Sequence, residues 1–563
     1  MLQRLGSKLV THNNEVLHTY LESLDRRISE IAAPTIVLDP KDFGAIGDGV
    51  TDDTDAIEKC ILAAQATGKG VLVSRGKTYL TRGVNVREGV VVMSDGTGGF
   101  KKKDASTGDF ISLGHRAALY RVRVDGNKAN QQLEPANALV RIGDCDDVSI
   151  IECDIRGANS YGIVINTGSR ALVRKNKVAD VYHAALAVYS NVAEKFHVIE
   201  ENTFQELGWG ALNMQYAMRC VVRRNRCLGT FLGNRSKRQY VDSHGDNRVT
   251  LRAGDLFTSL RAGNWLVIQG GAEYRITQVV DSTTILVDRN IPAAQGHAAL
   301  TGTGDLMGFQ SVWHCDVDDN YMANTTTFGF GGGTTGGNTS AMHYCRFRNN
   351  IVENTGKNGF NLGQMGKQGI GNCYILHNTL RNVGGGGDAV SEVDKAAFVL
   401  HFGDAGYMSN IVVDGNTAES YGGDDGQTHV WLRLTGTPTI ASVLLGENWA
   451  IGLQQQYILG DIISITISGW GTESKFTDYA SYGRSCRVTI STAGTGQLPN
   501  PWCQVNKACV PQANPMVFAQ MATSNVGLMS VWGTQLSSPG IWKFYASGTP
   551  AGGGLMDFNL IGG

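Results

Sequence analysis

The sequence predicts an all-β fold, a right-handed parallel β-helix built as a single-stranded solenoid, and three observations carry that reading. A short phrase returns between Leu139 and Ala450, an asparagine or its equivalent set among alternating apolar residues: Cys153, Asn176, Asn202, Asn225, Asn320, Asn350, Asn378, Asn416 and Asn448. The early copies return after 23, 26 and 23 residues, about the length of one winding whose strands pair with the same strands of the next winding. Between them lie small-then-apolar phrases such as Gly162-Ile-Val-Ile, Ala185-Leu-Ala-Val, Gly210-Ala-Leu-Asn-Met, Gly308-Phe-Gln and Gly359-Phe-Asn-Leu, whose period of two marks strands with one buried face. Asparagine suits the corners, because it tolerates left-handed backbone angles and its amide can bond the neighbouring winding. A leucine-rich horseshoe is the alternative, and the lack of a helical segment in each repeat argues against it.

Composition bounds the partners. With 72 glycines against 11 prolines and 42% hydrophobic residues, the 563-residue chain is a turn-rich β protein. Lys+Arg 49 against Asp+Glu 51 gives no basic field for nucleic acid. No run of eighteen apolar residues and no basic-then-apolar leader is visible, so neither a membrane span nor a Sec signal is expected. The eleven cysteines form no CxxC pair. Cys153, Cys227, Cys315, Cys345 and Cys373 fall beside strand phrases, where they can stack as buried apolar groups, and only Cys503 and Cys509 suggest a bridge. No cofactor is expected, and no metal-ligand spacing is present.

In chain order, residues 1–33 read as a short helical neck: Leu17, Leu21, Leu24, Ile28 and Ile31 are spaced 4, 3, 4 and 3, a heptad seam that Pro34 ends. Residues 34–100 read as the cap of the β-helix. In it Thr51 and Asp52 cap a helix buried along Ala56, Ile57, Cys60, Ile61 and Ala64 and stopped by Gly68, and strands follow at Gly70-Val-Leu-Val and Thr78-Tyr-Leu.

The phrase DFGAIGDGVTDDTDAI, followed by GVLV and TYL, resembles the opening of the pectate-lyase-like β-helix superfamily, and in particular the tailspike depolymerases of bacteriophages. With the repeats, the resemblance covers residues 36 to 450. It implies a homotrimer on the virion tail that binds, and usually cleaves, a bacterial surface polysaccharide (capsule, exopolysaccharide or O-antigen). Residues 1–33 would then attach it to another tail protein. It does not specify the chemistry, because the superfamily includes lyases, hydrolases, epimerases and binding proteins.

The β-helix is expected over 101–246 and 305–471, interrupted by a small inserted β domain over 247–304, where Trp265-Leu-Val-Ile, Tyr274-Arg-Ile and Ile285-Leu-Val-Asp are short strands between turn residues. An insertion leaves and re-enters the solenoid at neighbouring points, which would bring Asp242, His244 and Asp246 close to Asp305. Glycosidic cleavage needs one acid to protonate the leaving oxygen and one carboxylate to activate water or attack the sugar. Asp242, Asp246 and Asp305 are therefore the candidate catalytic acids, with His244 as a sugar contact or pKa tuner, and mutual repulsion would raise one acid's pKa. The competing reading makes SHGDN a tight loop whose aspartates accept backbone bonds or hold a structural cation.

Glu206 and Trp209, an acid beside an aromatic sugar platform near Asp180 and His183, are candidate substrate contacts, as are Trp313 and Tyr240. Asp316, Asp318, Asp319 and Glu353, and the group Glu392, Asp394, His401 and Asp404 beside Gly384 to Gly387, are further acid clusters for which a solvated acid is the default reading. The run Gly331-Gly-Gly-Thr-Thr-Gly-Gly lacks the lysine and helix of a phosphate loop and reads as a flexible turn. Residues 472–563 read as a β-rich domain for trimerisation or carbohydrate binding, with Trp532 and Trp542 as sugar contacts. A hydrolase is expected; a lyase acting on a uronate, a non-catalytic adhesin and a cellular pectinase are the rivals.

Overall fold

A computed structural model describes residues 36–420, apart from 133–135, 190–195, 233–238, 270, 333–341, 366–369, 387–388, 390–394 and 403–406, and beyond 420 only the strands named below and their nearest neighbours. The expected neck at 1–33, together with Glu392, Asp394, Asp404 and Cys509, lies outside the described residues. Two compact units divide the chain: Met1–Gln205 with Arg219–Asn225, and Glu206–Met218 with Arg226–Gly563.

In the first unit three sheets of parallel strands pair winding on winding. One runs from Val37–Leu38 to Val221–Arg223, a second from Asp48–Asp52 to Lys177–Val181, and a third from Val84–Val86 to Ala184–Tyr189. Register is kept by identical phrases: Ser149 pairs with Leu172, Asp154 with Lys177 and Ile163 with Leu186. Parallel pairing already starts at Val37 with Gly70, so the windings begin well before residue 101 and the expected cap is itself part of the solenoid.

Helix α1 (Thr54–Thr67) buries Ile57, Cys60, Ile61 and Ala64, as its spacing predicts, and ends on left-handed Gly68. Its start agrees with expectation in part: Asp52 Oδ1 accepts the amide of Thr54, the first helical residue, at 3.1 Å. Thr51 and Asp52 belong to the strand Asp48–Asp52, and the N-cap is Asp53, whose carboxylate turns away to accept the Ile46 and Gly47 amides at 2.7 and 3.0 Å. Two backbone donors in the GDG loop therefore outcompete the helix's own amides for that side chain.

The ladder phrase has a direct physical basis. The side-chain oxygen of Asn176 accepts the Cys153 amide, that of Asn202 the Asn176 amide and that of Asn225 the Asn202 amide, each at 2.9–3.0 Å. In the second unit the same relay joins Asn320, Asn350, Asn378, Asn416 and Asn448. The left-handed corner residue is not the asparagine but the one before it: Glu152, Lys175, Glu201, Arg224, Asp319, Asn349 and His377 have φ of 54–58°. The buried asparagine instead satisfies the amides and carbonyls that such a corner takes out of the sheets.

The second unit carries three corresponding sheets, ending at Val443–Leu445, Trp449–Ile451 and Val430–Thr435, and a narrow five-stranded ladder from Val312–Trp313 to Thr439–Ile440. Phe309, Phe330, Phe347 and Phe360 fill its interior, with Phe330 and Phe360 4.2 Å apart between ring centroids. Cys315, Cys345 and Cys373 are buried and unbridged, the apolar role their positions predict.

Residues 231–302 form a seven-stranded sheet, antiparallel throughout and packed around Phe257, Leu266, Ile276 and Ile285. Its strands include Phe231–Leu232 and Gln239–Ser243, so the boundary expected at 247 would cut the hairpin that pairs Ser243 with Val249. Two four-stranded antiparallel sheets follow the last winding. One contains Ser464–Ser468, Trp502–Asn506, Val531–Ser538 and Ile541–Ala546; the other contains Lys475–Tyr482, Ser485–Ser491, Met516–Met521 and Leu555–Ile561. The β-rich end therefore starts by 464 rather than 472.

Candidate active site

On the third sheet of the second unit, strands Gly210–Gln215, Met307–Gln310, Phe330–Gly332 and Phe360–Met365 lie side by side. Leu212, Met307, Phe330 and Phe360 share one register row and are buried, so the adjoining row must face outward. That outward row reads Asn213, Gly308, Gly331, Asn361. Two adjacent glycines with asparagine on either side leave the middle of that row bare of side chains of its own.

Two larger groups reach over it. A Cβ on Gly331 would stand 2.8 Å from Asp305 Oδ2, and a Cβ on Gly308 would stand 3.2 Å from Trp209 Cη2. The carboxyl and the edge of the indole thus flank neighbouring strands that are about 4.8 Å apart. Trp209 is placed by the stretch before it: Asn264 Nδ2 and Thr303 Oγ1 both donate to the Leu207 carbonyl, at 2.8 and 2.9 Å, while Arg261 pairs with Glu206 at 3.1 Å.

Asp305 holds its proton more tightly than an ordinary carboxyl does. Burial pushes its pKa up to about 6; the Thr327 hydroxyl, which donates to Oδ1, opposes the shift, the charge of Glu273 adds to it, and Lys357 pulls it back. Glu273, from the antiparallel sheet, is bonded by the nearly buried Lys357, whose ammonium also lies 5.4 Å from the Phe328 ring centroid. The Asn213 Oδ1 is buried and has no hydrogen-bond partner.

The structure does not bring the other expected acids to this place. Asp242 accepts the Gly296 amide at 2.8 Å and pairs with Arg252 at 3.3 Å. From Gly296, six residues of the strand Ala294–Gly302 lead towards Asp305, roughly 20 Å of extended chain. Asp246 accepts the Arg248 amide at 2.8 Å and His244 Nε2 bonds the Thr250 hydroxyl at 2.9 Å, so SHGDN is a hairpin turn around left-handed Gly245. The neighbouring-ends argument failed because the insertion begins at Phe231, which places Asp242 part-way along a strand rather than at the root.

Tyr240 packs against the cluster of Val267, Ala298, Leu300 and Ala389, and Trp313 lies on the five-stranded ladder, bridged to Met218. Glu206 is occupied by Arg261. In the first unit, Asp180 pairs with Lys128 at 3.0 Å and the His183 ring lies 4.4 Å from that of Tyr161 between centroids, tilted by 30°. Asp316 pairs with Arg346 and Asp318 with Arg348, both at 3.0 Å, and Glu353 accepts the Tyr321 hydroxyl at 2.7 Å and pairs with Arg381. These acids hold neighbouring windings together. Gly331 and Gly332 are strand residues, not part of a turn.

Sequence reading missed Glu273, Lys357 and Asn213. It aligned Gly308 with Gly210, whereas the register sets Gly308 against Asn213. Aligning Leu-Asn-Met-Gln with Met-Gly-Phe-Gln on their apolar positions would have exposed the glycine row.

The fold is that of a right-handed β-helix protein, with the Asp305 carboxyl and the Trp209 ring packed over a glycine row on one of its sheets. Residues 138–245 match the family model described as "Right handed beta helix region". Among curated proteins, the chain is 40% identical over 79 residues to the "Tail spike protein" of an Escherichia phage, covering 14% of this chain and 8% of that one. It is 29% identical over 147 residues to "Depolymerase 1, capsule K30/K69-specific" of Klebsiella phage K5-2, covering 22% and 18%. The chain thus spans less than a fifth of the length of either relative. Among solved structures, the Dettilon tailspike protein superposes with a TM-score of 0.52 over 93% of this chain and 94% of that one, at 12% identity, a likeness of fold.

Proposed function

We propose that this chain is a phage tailspike that binds a bacterial surface polysaccharide and cleaves it by hydrolysis where Asp305 and Trp209 meet over the glycine row. The observation that carries this reading is a carboxyl held up to about 6, over two register-paired glycines and beside an indole edge. Asp305 protonates the leaving glycosidic oxygen, and Glu273, bonded to Lys357, is the carboxylate that serves the attacking side. Trp209 offers its ring to the apolar face of a sugar. The name of the Klebsiella phage relative, a capsule-specific depolymerase, favours a capsule-like substrate. In this reading the protein works as a homotrimer on the virion tail, attached through residues 1–33.

The test is incubation with a panel of purified bacterial polysaccharides, K30 and K69 capsules included, and mass analysis of the fragments. Hydrolysis adds one water per cut and leaves no new ultraviolet absorbance. Asp305→Asn and Glu273→Gln should each abolish fragmentation. Products carrying an unsaturated uronate would replace hydrolysis by β-elimination, and binding without fragments would leave an adhesin.

A further inference from the structure

A cleft of about 220 Å³ opens near the start of the solenoid, in the first unit, between one side of helix α1 and the first two strands of the third sheet, Val84–Val86 and Ile111–Leu113. Ile57 and Ile61 back it with apolar carbon, and Glu58, Asn85, Asp109 and Ser112 line it with polar groups. Asn85 and Ser112 are register partners, and the residues on either side of each are buried, so both side chains stand outward and exposed. Val84–Val86 is also the last strand of its sheet. The Val84 amide donates to the Phe110 carbonyl at 2.8 Å and the Gly114 amide to the Val86 carbonyl at 2.9 Å, which turns the Asn85 N–H and C=O towards the free edge. Asp109 is fixed in place: Oδ1 accepts the Ala138 amide at 2.8 Å and Oδ2 is bonded by Arg141. Glu58 meets Arg87 at 3.6 Å, a contact between two exposed side chains that gives way to a ligand at little cost.

What these groups offer sets the chemistry of the ligand. Two carboxylates accept only, while the Asn85 amide and the Ser112 hydroxyl both donate and accept. A cluster of hydroxyls suits all four, because each O–H donates to a carboxylate while its oxygen accepts from the amide or the serine. An anionic group would meet Glu58 and Asp109, and a bare cation would have to displace Arg87 and Arg141 from them. The volume lies below the roughly 300–1,000 Å³ of pockets that enclose drug-sized ligands, so it seats one ring of a chain whose remainder stays outside. We infer that this cleft is a second, non-catalytic polysaccharide site, which takes one uncharged sugar unit through its hydroxyls. It rests on the reading of the chain as a polysaccharide-binding spike and is independent of the roles given to Asp305 and Glu273. A second grip on the same polymer raises its local concentration without adding a contact at the centre of cleavage.

Affinity for the same capsule panel is measured by electrophoresis through native gels that contain polysaccharide, with Asp305→Asn as the parent form. Adding Asn85→Ala and Ser112→Ala together should weaken retardation about tenfold, the loss of two hydrogen bonds of ordinary strength. Adding Ser112→Trp instead, which puts an indole into the cleft from an exposed position, should weaken it at least as much. Because both positions are exposed, melting temperatures should match the parent's within about 2 °C. In the cleaving protein the loss should appear in KM for capsule rather than in kcat, whereas removal of a catalytic group lowers kcat. Retardation equal to the parent's in both variants overturns the inference and leaves the tailspike reading standing. Weakened retardation together with undiminished cleavage by Asp305→Asn upholds the cleft and removes the assignment of the acid. No retardation of any form by any capsule overturns the cleft and the polysaccharide reading together.

Discussion

Asn350→Ala tests what holds the windings together. Asn350 is fully buried; its Oδ1 accepts the Asn320 amide and Asn320 Nδ2, both at 3.0 Å, and its Nδ2 donates to the Val317 carbonyl at 2.8 Å and to Asn378 Oδ1 at 2.9 Å. Asn378 Oδ1 keeps the Asn350 backbone amide as a partner after the substitution. Three other bonds are lost outright: those of the Asn320 amide, the Asn320 side-chain N–H and the Val317 carbonyl to the Asn350 amide group. At roughly 1 kcal/mol for each hydrogen bond lost, the cost is about 3 kcal/mol. The control is Asn354→Asp, which removes one exposed amide bond of 3.2 Å while keeping a residue that tolerates its φ of 52°; it should cost less than about 0.5 kcal/mol. Denaturant midpoints and unfolding rates of the two variants against wild type measure the difference. Equal effects would refute the view that the buried relay, rather than corner geometry, is what the repeated asparagine supplies.

Other outcomes follow from the raised carboxyls. Because burial raises the pKa of both Asp305 and Asp316 in the fold from 3.8 to about 6, the folded state binds these protons more tightly; wild-type stability should fall as pH rises from about 4 to about 6 and level off above, and Asp305→Asn should remove its own share of that slope, leaving that of Asp316, in a pH series of unfolding midpoints. Cleavage that uses the protonated acid should decline above about pH 6. Lys357→Met removes the cation that pulls Asp305 down, so the alkaline limb of the pH–rate profile should move to higher pH. Gly331→Ala puts a methyl 2.8 Å from Asp305 Oδ2 at a position with no backbone strain, so fragmentation of a cleaved capsule should drop at least tenfold while far-ultraviolet dichroism stays unchanged.

The solenoid was legible in the amino-acid order alone, because the two facts that define it are local and repeated. Apolar alternation sets each strand's buried face, and one asparagine per winding satisfies each corner, so the positions of Asn176 to Asn448 could be read without coordinates. The helix face of Ile57, Cys60, Ile61 and Ala64 was legible for the same reason. Which acids meet was settled by the three-dimensional arrangement instead. Asp242 and Asp305 are close neighbours only if the insertion's ends are guessed correctly, and strand register moved Asp242 away. Glu273 and Lys357 are 84 residues apart in sequence and meet because an antiparallel sheet folds back onto a winding. The bed on which Asp305 and Trp209 pack is a row across four strands, Asn213, Gly308, Gly331 and Asn361, in which no single segment carries a motif. Properties that repeat along the chain are written into it locally, whereas a site assembled across windings depends on register, which a shift of one residue would turn to the opposite face.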